Sequence, residues 1–289
     1  MNPAADLLPL ARPDPTLADA VERAMTDLGR RWADTAATGG PEACAAQRVA
    51  LRDAIGSLGF AEILPALDDR DAWPDCAAVL RASAGAAVPV DLALWIVTGD
   101  ADAAIADDPM NWTGASLVPG LTGDGRAAFA LARALQIVAA MRAALDLSIG
   151  YVQDRKQFGR TLAKFQAIQH SLAVAAEHVA SAGAGTDLAL AAACSSGVAA
   201  ERTQALLDAA ALVVDDAVDQ VYDICHQVHG AIGFTREYAL HRHTVDMQRW
   251  RESLMGIRGH DAALRLGERV AHRGRLWGEV IALMTSRAD

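Results

Sequence analysis

The chain has 289 residues, of which 52% are hydrophobic and only 5% aromatic, so it can bury a sizeable core built mainly from alanine and aliphatic side chains. Its formal net charge of −10 argues against nucleic acid or an anionic membrane as a partner, although a local arginine patch could still bind an anionic cofactor. No uncharged apolar run reaches the ~18 residues of a membrane span, and the N-terminus lacks a signal-peptide pattern. The four cysteines form no C-x-x-C pair, which fits reduced thiols, and we expect a cytoplasmic protein.

The N-terminal part of the chain is predicted to be an extended arm followed by a helical domain. Four prolines within the first fifteen residues favour an extended arm over 1–16. Apolar residues at 3- and 4-residue steps then predict a helical domain over 17–97. Its expected helices span 17–35, 42–58 and 71–87. The short apolar run 90–97 is compatible with either a strand or a helix.

The remainder divides into a loop-rich segment and a set of long helices. Glycine, aspartate, proline, asparagine and threonine crowd residues 98–125, which leaves room for one or two short strands at most. Long helical periodicities follow and predict a C-terminal four-helix-bundle domain over 126–289. Its helices are expected over 127–154, 162–181, 186–194, from just after Gly197 to Val228, 237–255 and 261–284. The predicted fold class is therefore predominantly all-α.

A first polar cluster lies where the first bundle helix is expected to end. An Arg-x-Gln-Phe-Gly turn is followed at once by a second helix whose polar residues are spaced for one face. The polar members are Arg155, Gln157, Gln166 and Gln169. A guanidinium and several carboxamides this close together favour a ligand that carries a phosphate and a polar ring.

A second polar cluster runs from Gln227 to Thr235, between two long predicted helices. Its glycines, Gly230 and Gly233, let the backbone turn with positive φ and let N–H groups approach a ligand closely. By itself this pattern is also typical of an ordinary glycine cap at a helix C-terminus. His226 and His229 share a helix face here, but no third ligand follows at metal spacing, and we expect no metal site.

Together the two clusters resemble the C-terminal helical domain of the acyl-CoA dehydrogenases, FAD enzymes that oxidise the Cα–Cβ bond of an acyl thioester. The similarity covers about residues 127–256, with a weaker match of helix order over 17–97. It implies an acyl-CoA-dehydrogenase-like bundle in which Arg155 pairs with the FAD pyrophosphate and Phe158 packs against its adenosine half, often across a subunit interface. The cofactor contacts that the resemblance implies are Arg155, Gln157, Phe158, Leu162, Gln166, Gln169, Gln227, Gly230 and Ala231.

The chain departs from the family in two places. The β-barrel domain that covers the flavin ring in the family is reduced to the vestigial segment 98–125, which is too short for a closed barrel. In the family a glutamate abstracts the α-proton. Its usual position corresponds to Leu254 in this chain, and its alternative position corresponds to about Phe129, so neither position holds an acid. Glu252 is the nearest acid, but two residues on a helix are a rotation of about 200°, which faces the other way.

Three hypotheses follow. In the preferred one, the chain is the non-catalytic half of a hetero-oligomer, and a full-length acyl-CoA-dehydrogenase-like partner supplies the barrel and the base, binds most of the acyl-CoA and shares the FAD. The substrate would come from fatty acid or steroid side-chain degradation. Alternatively, the chain is a self-sufficient enzyme that uses Glu252 as its base. A third possibility is a flavin-free helical assembly protein, in which Arg155 and Gln227 hold helices together.

Overall fold

The computed structural model describes residues 12–59, 69–102, 121, 123–259 and 261–273. Within these ranges the chain is almost entirely helical, which confirms the predicted all-α class and the helical bundle. The helices are α1 Pro15–Thr38, α2 Pro41–Ser57, α3 Trp73–Gly85, α4 Leu92–Thr98, α5 Gly123–Asp154, α6 Gln166–Ser196, α7 Glu201–His229, α8 Ala239–Arg258 and α9 Asp261–Arg273. The strands β1 Lys156–Gln157 and β2 Arg160–Thr161 form one hairpin, and short 3-10 helices span Leu162–Lys164 and Gly230–Phe234.

Local sequence signals set the ends of the N-terminal helices. Helix α1 begins at Pro15, inside the predicted arm, because the Asp14 carboxylate accepts hydrogen bonds from the backbone N–H groups of Thr16 and Leu17. Asp91 caps α4 in the same way by accepting from Leu94 N at 3.1 Å. The apolar run 90–97 is thereby resolved as helix. Residues 1–11 of the predicted arm lie outside the described residues.

Helix α5 is the centre of the bundle. It packs against α6, α7 and α8, and its N-terminal half also contacts α3. Buried residues lie on several sides of the helix, from Ala127 through Met141 to Val152. By length and composition α5 could cross a membrane, but 83% of its most apolar 18-residue window is buried inside the protein, as in the core helix of any bundle. Most of the predicted loop region 98–125 and the end of the last predicted helix, 274–284, lie outside the described residues.

The prediction of two separate helices over 162–181 and 186–194 is wrong. After the 3-10 turn, α6 runs without a break from Gln166 to Ser196. The glycines that suggested a break lie at helix–helix contacts, since a Cβ on Gly183 would be 3.7 Å from Val138 Cγ1 and one on Gly185 would be 3.6 Å from Ala210 Cα. Packing against α5 and α7 therefore overrides the weak helix propensity of glycine.

Replacing Gly183 by alanine should stabilise the protein. The added methyl group would meet only ordinary van der Waals contact, and alanine is about 0.5–1 kcal/mol better than glycine inside a helix. Urea unfolding measures the change. Gly29→Ala is the opposite control, because its Cβ would lie 2.2 Å from the Ala86 carbonyl oxygen and must push α1 aside. A clear loss of stability in Gly183→Ala would contradict a continuous α6.

Candidate functional site

The Arg-x-Gln-Phe-Gly motif forms the tight β1–β2 hairpin at the C-terminal end of α5. Lys156 pairs with Thr161 and Gln157 with Arg160. Phe158 and Gly159, the two residues of the turn, have φ values of +52° and +78°, as a hairpin turn with two left-handed residues requires. Phenylalanine rarely adopts this conformation, and 89% of its surface is exposed. The hairpin therefore presents an aromatic ring to solvent at the expense of local strain.

The Phe158 ring packs against a residue that follows the hairpin. The Phe158 ring meets the Phe165 ring edge-on at 6.2 Å, and the Arg160 guanidinium lies 4.1 Å from the centre of the Phe165 ring. Gln169, in the first turn of α6, donates from Nε2 to the Ala163 carbonyl at 2.8 Å. Gln169 was predicted from the sequence as a site residue, whereas the contacts of Arg160 and Phe165 with this ring cluster were not.

The predicted cofactor residues of this first motif all lie near one another along the chain. Gln157, Gln166 and Gln169 are exposed, while Leu162 is partly buried and donates its backbone N–H to the Arg155 carbonyl at 2.8 Å. The Arg155 side chain is exposed and forms no ion pair with any carboxylate of the described residues. A guanidinium in this state is available for an anionic ligand.

The second motif forms the end of α7. Gly230 has φ +65° and terminates the helix, and its N–H donates to the His226 carbonyl. The 3-10 turn Gly230–Phe234 follows. Gln227, Gly230 and Ala231 are all exposed. Open space surrounds the position that a Cβ would take on Gly230, so the backbone conformation, rather than crowding, favours glycine there.

Two tyrosines and a histidine connect the motifs. The Tyr151 ring, one turn before Arg155, stacks on the His229 ring at 4.4 Å. His229 Nδ1 lies 2.8 Å from the Cys225 carbonyl, so this nitrogen donates and Nε2 accepts from the Tyr238 hydroxyl at 3.2 Å. Burial lowers the pKa of His229, which keeps the ring neutral. The ends of α5 and α7 are thus joined at one end of the bundle, and the hairpin and the glycine turn start from this junction.

An open groove borders Arg155. It passes along α5, past Ala143 and Gly150, to Gly85 at the end of α3, and the Tyr151 and His243 side chains also line it. Burial, followed by the charge of Arg242, lowers the pKa of His243 to about 4, so this side chain is uncharged near neutral pH. The groove offers an extended ligand a path from the hairpin along the bundle surface.

Apolar side chains fill both positions at which the family carries its catalytic glutamate. Leu254 is 1% exposed and belongs to a core cluster with Met247 and Trp250. Phe129 is likewise 1% exposed, with the Arg133 guanidinium 4.5 Å from the centre of its ring. Neither position can supply or accept a proton.

Glu252 lies on the outer surface of α8. Its side chain is exposed, and the neighbouring Arg251 pairs with Asp219 and, at 3.6 Å, with Asp215. The acidic residues of α7 therefore stabilise the helix pair through Arg251, and Glu252 projects away from the bundle core, as its offset from Leu254 predicts.

Within the described residues there is no group of three or more side chains that could hold a metal ion.

Comparison with known proteins places these features in context. Residues 126–252 match the family described as acyl-CoA dehydrogenase, C-terminal domain. The chain is 36% identical over 173 residues to the acyl-CoA dehydrogenase IpdE2 of Mycolicibacterium smegmatis, an alignment that covers 57% of this chain and 49% of that protein. This chain therefore spans about half the length of the curated relative that it matches. The resemblance inferred from the two motifs is confirmed.

Solved structures of acyl-CoA dehydrogenases also resemble part of the chain. A variant of the Tcur3481-Tcur3483 steroid acyl-CoA dehydrogenase superimposes with a TM-score of 0.46 at 25% identity, over 54% of this chain and 42% of that one. The ChsE4-ChsE5 complex from Mycobacterium tuberculosis gives a TM-score of 0.44 at 20% identity, over 51% of this chain and 38% of that one.

Proposed function

We propose that the chain is the non-catalytic half of a hetero-oligomeric acyl-CoA dehydrogenase and completes an FAD site shared with its partner, since residues 126–252 match the acyl-CoA dehydrogenase C-terminal domain. The main support for this proposal is that apolar side chains occupy both positions at which the family carries its catalytic glutamate. Leu254 and Phe129 are core residues with 1% exposure each, so neither position supplies the carboxylate for α-proton abstraction, which we assign to another chain.

The residues at the hairpin and the glycine turn fit the adenine-diphosphate half of FAD. Arg155 offers an exposed guanidinium whose fork matches the pyrophosphate oxygens. Phe158 offers an exposed ring, held out by its left-handed turn, for the adenosine portion. Gln227, Gly230 and Ala231 present a carboxamide and an accessible backbone beside the same junction. When bound, FAD accepts the two electrons removed from the Cα–Cβ bond, and this chain binds and orients one end of it.

The partner that we propose is a full-length acyl-CoA-dehydrogenase-like subunit in the cytoplasm. It would cover the flavin ring with its β-domain, supply the glutamate and bind most of the acyl-CoA. The substrate that we propose is an acyl-CoA of fatty acid or steroid side-chain degradation. This division of roles accounts for a chain that keeps residues for the adenine end of the cofactor while its base positions are filled.

Co-purification tests the proposal. The chain is co-expressed with a full-length acyl-CoA-dehydrogenase-like subunit from the same organism, and flavin content and acyl-CoA turnover are measured for the complex and for each chain alone. We expect a yellow, active complex and a colourless, inactive chain by itself. A chain that alone shows a full flavin spectrum and turnover would instead establish the self-sufficient enzyme. A complex that assembles without flavin would establish the helical assembly protein.

Glu252→Gln should leave the complex active. Since Glu252 is exposed on the outer face of α8, the proposal gives its carboxylate no part in proton abstraction, and the rate of flavin reduction by acyl-CoA should stay within about twofold of wild type, the range of a surface substitution. Stopped-flow absorbance of the flavin measures this rate. Glu177→Gln, on the exposed face of α6, is the matched control. Abolished reduction in Glu252→Gln alone would assign the base to Glu252.

A further inference from the structure

A small cavity lies between the N-terminal helices, the segment that follows the glycine turn and the start of α8. Its volume is about 90 Å³, so it can enclose a group of a few heavy atoms but not a nucleoside. The apolar side of the cavity is formed by Trp32 and Ala36 of α1, by Pro89 and by Val245 of α8. Charged groups from three segments form the opposite side.

Basic side chains are the most numerous polar groups in the lining. Arg48 of α2, Arg236 before α8, and His241 and Arg242 of α8 all line the cavity. Arg242 is partly buried, and burial lowers the pKa of its guanidinium, while the charges of Asp246 and Asp34 act in the opposite direction. Arg242 nevertheless forms no ion pair with a carboxylate of the described residues. A partly desolvated guanidinium that forms no close ion pair, as here despite the nearby charges of Asp246 and Asp34, is stabilised further by an anionic ligand.

Among the described residues that line the cavity, Asp246 is the single acid. Its carboxyl oxygens accept no hydrogen bond from the described residues. Burial, helped by the nearby charge of Asp91, raises the pKa of Asp246 to about 6, although Arg249, Arg133 and Arg242 lower it in part. At mildly acidic pH this carboxyl group is protonated and can donate a hydrogen bond.

We propose that this cavity is a binding site for a small monocarboxylate with a short apolar tail. The planar carboxylate matches the fork of Arg242, and the protonated Asp246 carboxyl donates a second hydrogen bond to it. The tail lies against Trp32, Pro89 and Val245. A phosphate dianion fits less well, because it gains nothing from the apolar wall and meets the partial negative charge of Asp246. The site shares no residue with the flavin site, so either can exist without the other.

Calorimetric titration of the full chain with butyrate tests the site. Saturable binding is expected at pH 6, with much weaker binding of butanol, which lacks the charge, and of inorganic phosphate, which lacks the tail. Arg242→Gln should weaken butyrate binding about tenfold or more, the effect of losing one charged hydrogen bond. Arg23→Gln, an equal charge change on the exposed face of α1, should leave binding unchanged.

Two further variants separate the site from general charge and folding effects. Ala36→Leu should block the cavity without changing charge and should weaken butyrate binding at least as much as Arg242→Gln; thermal unfolding of each variant shows that it is folded. Absence of saturable binding, phosphate binding as tight as that of butyrate, or unchanged binding in both variants would each overturn the proposal.

The dependence on pH identifies the role of Asp246. In wild type, butyrate affinity should fall about tenfold between pH 5.5 and pH 8, because an ionised Asp246 repels the ligand. Asp246→Asn keeps a donor and cannot ionise, so its affinity should stay nearly constant. His241 also lines the cavity, and the charge that it gains in acid is a second source of pH dependence. Because the main role is assigned to Asp246, His241→Gln should retain most of the wild-type dependence. A full pH dependence in Asp246→Asn would overturn the role assigned to this carboxyl group.

Discussion

Replacing Asp91 by alanine is expected to lower the free energy of unfolding by about 3–5 kcal/mol, the range for removing one partner of a buried ion pair. Asp91 joins the N-terminal region to the bundle through Arg133 of α5, whose Nη1 donates to Asp91 Oδ1 at 2.6 Å and whose Nη2 contacts Oδ2. Arg133 is only 4% exposed. Without Asp91, its guanidinium would stay buried without its bidentate carboxylate partner and would keep the hydrogen bond to Gln136 Oε1, and α4 would also lose its N-cap.

Urea unfolding followed by circular dichroism measures this loss. Asp187→Ala is the matched control, because Asp187 pairs with Arg81 at the surface, where both side chains are more than a third exposed. Exposed pairs contribute about 0–1 kcal/mol. The double variant Asp91→Ala with Arg133→Met should recover much of the stability by removing the orphaned charge. A loss in Asp91→Ala no larger than in the control would show that the buried pair is not a major source of stability.

The pH dependence of this loss follows from the state of Asp91. Burial acts to raise the pKa of its carboxyl, but the charge and hydrogen bonds of Arg133 outweigh burial, and the folded-state pKa is lowered. A lowered pKa means that the contribution is present above the pKa of the unfolded chain and is lost as the pH falls through the folded value. The stability difference between wild type and Asp91→Ala should therefore be largest near neutrality and shrink in acid.

The helices could be predicted from the sequence because their signals are local. Apolar spacing marks α1, α2 and α3. The run 90–97 is compatible with either strand or helix from its sequence, and the structure shows that Asp91 and Gly99 cap it as α4. The prediction of a helix break near Gly183 and Gly185 was wrong because glycine is common both at helix ends and at close contacts between helices. Only the positions of Val138 and Ala210 decide between them, and they depend on the tertiary fold.

The candidate site could also be predicted only in part. The two motifs could be found because each is contiguous in sequence. The contacts that join them could not be found, since Tyr151 and His229 are far apart along the chain and meet only after α5 and α7 have packed. The Asp91–Arg133 pair was missed for the same reason. The sequence showed that position 254 holds no acid; the structure adds that Leu254 is core, which leaves no space for a base supplied locally.

Replacing Arg155 by glutamine should strip flavin from the co-purified complex. The guanidinium is exposed and forms no ion pair with the described carboxylates, so within the proposed site its fork is committed to the pyrophosphate. Charged hydrogen bonds contribute about 1.5–3 kcal/mol each, and the loss of a bidentate pair should weaken FAD binding by about a hundredfold. Equilibrium dialysis against FAD, with the flavin absorbance of the retained complex, measures the dissociation constant.

Lys156→Gln is the control that isolates the geometry of Arg155 from its charge. Lys156 is the next residue, is also exposed and carries the same charge, but it lies on β1 and the proposal gives it no phosphate contact. Its replacement should weaken FAD binding only slightly, because one exposed charge acts weakly through water. Equal losses in the two variants would mean that the hairpin attracts FAD only by its net charge. Full retention in Arg155→Gln, with the complex intact by size-exclusion chromatography, would remove the hairpin from the flavin site and favour the helical assembly protein.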